Sequence, residues 1–312
     1  QMSDKMEVDG SNPMEPGNIA RLQGGDLAKL LKGFQDEEWE LGIDEAGRGP
    51  VLGPMTYGSC FVPSSKNAEL KALGFDDSKK LSEETRERMF RDIKACDFLG
   101  WNVIVLSAKE ISGGMLQRSP YNLNAISHDT AEALIRQALA DGINLKRVFV
   151  DTVGDPERYE AKLSAKFPQI QMTVRKKADS LFPIVSAASI CAKVTRDIVV
   201  KQWKYSEADV QFTGVTGSGY PADEVTKTWL SKNCDPVFGF PDNTRFSWQT
   251  TKKILEESAM SFEWEADLEE DENQSKMGAY FVSNDKVKSK GTLGSSATFF
   301  AQRQLLTATA LY

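Results

Sequence analysis

Cysteine and histidine are scarce in this chain. The four cysteines, Cys60, Cys96, Cys191 and Cys234, lie far apart without Cys-x-x-Cys spacing. Neither a zinc site nor a disulfide framework is indicated, and they read as free thiols of a reducing compartment. The one histidine, His128, falls in a helical pattern and reads as a helix residue rather than a general base. No apolar run approaches the ~18 residues that a membrane span needs. The first residues lack the basic and apolar regions of a signal peptide. Without secretion, the Asn273-Gln274-Ser275 glycosylation match carries no weight. The absence of a Gly-Lys-Ser/Thr element argues against a P-loop nucleotidase. Gly47-Arg48-Gly49-Pro50-Val51-Leu52-Gly53 is one residue too long for a dinucleotide loop, and Pro50 interrupts it.

An excess of positive charge is missing as well: the net charge of the 312 residues is −7. Its distribution matters more than its sum. Residues 1–40 carry −5, residues 254–312 carry −5, and residues 41–253 carry +3. Acidic ends around a mildly basic body are compatible with a polyanionic substrate. The composition, 40% hydrophobic and 27% charged, is that of an ordinary globular protein, and the length suits one large domain or two smaller ones.

Residues 1–38 read as a flexible lead-in, with a short docking helix over about 26–34. Apolar strands are expected around residues 39–44, 56–62, 101–106, 147–151 and 170–174. Helices are expected over about 82–96, 121–140, 155–167 and 183–205. The alternation of strand and helix implies an α/β layer structure with parallel pairs over 39–210. A loop at Gly217-Ser218-Gly219-Tyr220-Pro221 opens a small helical extension over 211–258. From Glu256 to Asn273 there are nine acids and no bases, so 259–312 reads as an acidic linker and tail.

The chemistry concentrates in Gly42-Ile43-Asp44-Glu45-Ala46-Gly47-Arg48-Gly49-Pro50. Adjacent strand residues face opposite ways, so Asp44 and Glu45 are expected to share a site only where their strand ends. Gly47 and Gly49 let the backbone bend and approach a ligand. Asp151 closes a second strand, and Asp179 stands between a third strand and the next helix. Ligands gather beyond strand ends in open α/β sheets. Carboxylates gathered there repel one another unless a cation neutralises them. An oxygen-only ligand set suits Mg²⁺ or Mn²⁺ rather than zinc. Paired divalent ions held by acids recur where phosphodiesters are cut.

These motifs, with Asp77-Ser78-Lys79, Phe149-Val150-Asp151, Lys177-Ala178-Asp179 and Ser186-Ala187-Ala188-Ser189-Ile190-Cys191-Ala192-Lys193, resemble type 2 ribonuclease H over roughly residues 40–255. Asp151-Thr152-Val153-Gly154 and the Tyr220 loop resemble the catalytic subunit of its eukaryotic members. The resemblance implies a ribonuclease H-like mixed sheet flanked by helices, with a small helical C-terminal addition. It makes Asp44, Glu45, Asp151 and Asp179 the catalytic acids that hold two divalent ions, Mg²⁺ or Mn²⁺. It implies hydrolysis of RNA paired with DNA, and cutting on the 5′ side of single ribonucleotides in duplex DNA to leave 3′-hydroxyl and 5′-phosphate ends. Gly47, Arg48 and Gly49 would meet the ribose 2′-hydroxyl, and Tyr220 would stack at the junction with the next deoxynucleotide. Lys79 and Arg196 are candidate phosphate contacts. Two accessory subunits, a nuclear location, and roles in ribonucleotide removal and Okazaki-fragment processing are also implied. Gln274-x-x-Met277-x-x-Tyr280-Phe281 resembles a box by which replication proteins dock on the sliding clamp. The acids alone would also suit a DNA nuclease or integrase-like transferase, or a non-catalytic nucleic-acid-binding protein.

Overall fold

Period-two alternation builds the centre of this protein. The computed structural model describes residues 20–24, 27–75, 81–152, 154–205, 212 and 214–261. A strand β1 (Ala20–Gly24) and a helix α1 (Leu27–Gly33) precede β2 (Trp39–Ala46) and β3 (Met55–Pro63). Next come α2 (Asn67–Ala72), α3 (Glu83–Ala95), β4 (Gly100–Leu106), α4 (Ala108–Met115) and α5 (Leu123–Ala140). The chain continues through β5 (Leu145–Asp151), α6 (Pro156–Lys166), β6 (Gln171–Arg175) and α7 (Pro183–Lys201). It closes with α8 (Glu224–Lys232) and α9 (Gln249–Ser258). Helix starts are capped as their sequences dictate: Ser82, Ser107, Asn122, Asp155 and Asp223 each accept a backbone N–H of the first turn.

The strands form one mixed six-stranded sheet in the order β1-β4-β3-β2-β5-β6. The β1–β4, β4–β3 and β3–β2 pairs are antiparallel, and the β2–β5 and β5–β6 pairs are parallel. Strand β1 lies within the stretch expected to be a flexible lead-in. Its five residues carry no telling pattern of their own, and its pairing is supplied by the free edge of β4. Among the described residues no helix is long and apolar enough to cross a membrane.

Alternation sends Leu41, Ile43, Tyr57, Phe61 and Ile104 to one face, where they pack with Leu134 and Ile135 of α5 and Leu163 of α6. It sends Cys60, Val62, Trp101 and Val103 to the other, against Val185, Ala188 and Ile190 of α7. Helix α7 lies unusually close to the sheet because two glycines face it. A Cβ on Gly42 would stand 2.5 Å from the Ile184 carbonyl, and one on Gly58 would stand 2.3 Å from that of Ala188. A third apolar cluster joins Val51 and Leu52, just after β2, to Trp229 and Leu230 of α8, Phe240, and Ile254 of α9. The helical addition therefore packs directly behind the turn that follows the Asp-Glu pair.

Candidate active site

Asp44 stands opposite Gly58 in the β2–β3 ladder. Its side chain therefore shares the face that Gly58 opens to α7. The parallel β2–β5 register pairs Ile43 with Val150, so one step further places Asp44 beside Asp151 at the end of β5. Asp179 enters from a single turn of 3-10 helix (Ala178–Ser180) between β6 and α7. Lys177, left-handed at φ 58°, turns the chain sharply into it. The three carboxylates offer oxygens that all lie within 4.8 Å of one another. Asp44 and Asp179 are 4% and 3% exposed. Burial first, then the charges of Glu45 and Asp151, raises the Asp44 carboxyl well above the usual carboxylate range; Ser189 and Lys193 offset this only in part. The Asp151 carboxylate is fixed by the N–H groups of Thr152 and Ala178, each at 3.0 Å. An all-oxygen set, two of its carboxylates buried and Asp151 half-buried, that resists its own negative charge fits a divalent cation.

Glu45 is not in this group of three. Strand β2 ends one residue past it, at Ala46 paired to Thr56, so the pleat still holds at the acidic pair and sends its two side chains to opposite faces. Glu45 faces α5 instead. It lines a cavity of about 20 Å³ with Asp151, Tyr57, Ser127, His128 and Tyr159, among others. It still acts on its surroundings at range, since its charge raises the hydroxyl pKa of both tyrosines beyond what burial does. His128 stacks on Tyr159 with ring centroids 3.8 Å apart, and burial lowers its pKa. It packs as a helix residue, yet it faces the same cavity as Glu45.

The turn at 47–49 follows directly. Gly47 has φ 76°, and Gly49 is exposed. Arg48 reaches to α5, donating to Ser127 Oγ and Asn124 Oδ1. Tyr220, 51% exposed, lies on the turn: a Cβ on Gly49 would stand 3.2 Å from its Cε1. Its loop is tied back by Asp223, whose carboxylate accepts from Ser218 N–H (2.7 Å) and Ser218 Oγ (2.8 Å). Those bonds, together with the one from Val225 N–H, lower the Asp223 pKa to about 2. Arg196 spends two donors on the backbone of the turn, Nε on Pro54 O (3.2 Å) and one terminal nitrogen on Leu52 O (3.3 Å). Lys79, Gln274, Met277, Tyr280 and Phe281 lie outside the described residues.

Residues 41–251 match the family described as Ribonuclease HII. The chain belongs to that family. It is 50% identical over 272 residues to a ribonuclease H2 subunit of Homo sapiens, covering 87% of this chain and 90% of that protein. It is similar to the ribonuclease H2 structure from Pyrococcus horikoshii OT3, with TM-score 0.59 and 32% identity over 70% of this chain and 98% of that one. It is also similar to the chain in the PCNA:RNase HII complex from Archaeoglobus fulgidus, with TM-score 0.56 and 29% identity over 69% and 96% of the two chains. As a ribonuclease HII, the protein is a phosphodiester hydrolase acting on RNA, and its mixed sheet is the fold of that family.

Two residues that hold the 47–53 turn of this ribonuclease HII were not visible in the sequence. Arg245 is fully buried and donates to the carbonyls of the 47–53 turn. Burial, then the charge of Arg196, lowers its guanidinium pKa to about 9, so it is still protonated at neutral pH. Trp248 covers it, with the guanidinium carbon 4.8 Å from the ring centroid. The one available signal was an arginine placed among the aromatics Phe240, Phe246 and Trp248.

Proposed function

We propose that the protein nicks duplex DNA on the 5′ side of single embedded ribonucleotides, and also cuts the RNA strand of RNA–DNA hybrids. The observation that carries this is the adjacency of the carboxylate group to the Gly47-Arg48-Gly49 turn and Tyr220: an acidic ion site beside a backbone bend and an exposed ring. Asp44, Asp151 and Asp179 would hold the divalent ions, Mg²⁺ or Mn²⁺, with Glu45 joining them from its own face once substrate is bound. Two ions in such a site supply activation of the attacking water and stabilisation of charge on the departing oxygen. The bond broken joins phosphorus to the 3′ oxygen of the preceding nucleotide, which leaves a 3′-hydroxyl and a 5′-phosphate. Amides of the turn address the 2′-hydroxyl, the group that distinguishes RNA from DNA. Tyr220 stacks on the following deoxynucleotide. Arg196 shapes the turn with two of its donors and keeps its remaining edge for phosphate, and Lys79 serves as a phosphate contact.

In this reading the protein acts in the nucleus, in ribonucleotide removal and Okazaki-fragment processing, beside two accessory subunits; likeness to a relative whose name makes it one subunit of a larger assembly supports the presence of partners. The box at Gln274, Met277, Tyr280 and Phe281 docks on the sliding clamp, supported by likeness to a relative solved with PCNA. Residues 39–210 form the catalytic part, 211–258 its helical extension, and 259–312 the tail that meets partners. The test is a nicking assay on a duplex bearing one ribonucleotide, with Mg²⁺. Wild type should cut 5′ of that residue, and Asp44→Asn and Asp179→Asn should not. Cleavage of all-DNA duplexes would favour a DNA nuclease instead.

A further inference from the structure

The carbonyls of the turn are drawn to one side by donors from distant parts of the chain. Arg245 donates from Nε to Gly53 O (2.9 Å) and from its two terminal nitrogens to Arg48 O (3.1 Å) and Gly47 O (2.6 Å). Its own backbone N–H donates to Val51 O (2.9 Å). Trp248 Nε1 donates to Gly49 O (3.0 Å). The N–H groups of residues 47–49 have no part in these bonds.

A trans peptide is planar, with its C=O and N–H pointing opposite ways. Drawing Gly47 O and Arg48 O inward therefore turns the N–H groups of Arg48 and Gly49 outward. A guanidinium is the side chain suited to this, because its planar fork spans several acceptors at once. The Trp248 ring, with its centroid 4.8 Å from the guanidinium carbon, adds a cation–π contact that holds the fork in place.

We infer that Arg245 and Trp248 are positioning residues for ribose recognition. They aim the amides of the turn, and through them the helical addition takes part in substrate selectivity. This rests on the reading of the turn as the group that meets the 2′-hydroxyl. A uniform hybrid presents a 2′-hydroxyl in every register, so a misaimed turn still finds one. A single ribonucleotide offers one register only.

The test measures kcat and KM of the full-length chain on a single-ribonucleotide duplex and on a uniform hybrid, with thermal melting and Mn²⁺ binding measured alongside. Trp248→Phe keeps an aromatic ring beside the guanidinium and removes the N–H on Gly49 O together with part of the ring's packing, which the melting temperature monitors. Its kcat/KM on the single ribonucleotide is expected to fall about tenfold, equivalent to ~1.4 kcal/mol of lost positioning. The hybrid should lose less, and Mn²⁺ affinity should hold. Arg245→Lys should shift the same ratio further; if it does not fold, Trp248→Phe decides. Equal losses on both substrates, losses that track the melting temperature, or unchanged kinetics would overturn the inference. A wild-type chain that cuts the hybrid but not the single ribonucleotide would overturn the reading beneath it, and that result is visible before any variant is made.

Discussion

At position 47 two constraints meet, and each singles out glycine. The backbone is left-handed, and a Cβ would stand 2.1 Å from Arg196 Nε and 2.7 Å from Pro54 O. The left-handed conformation alone costs another residue about 1–2 kcal/mol, and the clash would push Arg196 off the turn. Gly47→Ala should therefore reduce cleavage by more than tenfold while divalent-ion binding at the three acids is kept; steady-state kinetics and Mn²⁺ titration check both halves. Asp44 makes a different kind of prediction. Its raised pKa means that the folded chain holds that proton more tightly than the unfolded chain does. This group's contribution to stability therefore falls as pH rises from the usual carboxylate value, and the whole penalty is in force above the raised value. Asp44→Asn removes the penalty. In metal-free buffer at neutral pH the variant should melt higher than wild type; with Mg²⁺ added it should stay inactive, and Mg²⁺ should raise the wild-type melting temperature more than the variant's. A variant that melts lower under those conditions would show that the carboxylate cluster is not under electrostatic strain.

Helix α7 and the two strands beneath it act as one element. Gly58 faces both Asp44 across the ladder and Ala188 of α7. A methyl group there would meet backbone atoms, which cannot rotate away. Gly58→Ala is expected to cost about 1–3 kcal/mol as overpacking and to lower kcat with it, because Ser189 and Lys193 on the same helix act on Asp44. Thermal melting and kcat measured on one preparation test the link; a stable variant with full activity would break it. At this scale much of the sequence was readable. The runs of β3 and β4 are largely apolar and buried on both faces, α5 keeps a 3.6-residue period, and Asp151 and Asp179 stand where strands β5 and β6 give out. The pair Asp44-Glu45 was placed at the end of its strand and stands there, one residue before β2 ends at Ala46; the pleat nonetheless persists through it, so the two side chains leave on opposite faces. Nothing in the sequence says how far the pleat holds into the last residues of a strand. Strand β1 was missed for the related reason that its partner edge, not its own residues, makes it a strand.

On the scale of the whole molecule, residues almost two hundred positions apart finish one turn. Arg245 bonds to Gly47 and Arg48, and Trp248 to Gly49. No periodicity in sequence announces such a contact, because a buried arginine in an irregular segment reads like any exposed one. The helical addition also closes the apolar cluster around Val51 and Leu52, so it shares a core with the turn rather than standing apart from it. This sets where the chain can be cut. The three acids, the turn, Tyr220, Arg245 and Trp248 all lie within 44–251, and α9 ends at Ser258. A chain ending at residue 261 should therefore keep its divalent-ion binding and its ratio of single-ribonucleotide to hybrid cleavage. A chain ending at residue 240 removes Arg245, Trp248 and α9 together, and should lose single-ribonucleotide cleavage first. Limited truncation followed by the two-substrate assay separates the outcomes. A 261-residue form with an altered ratio would mean that residues 262–312 reach into substrate selection, and that the site extends beyond the fold described above.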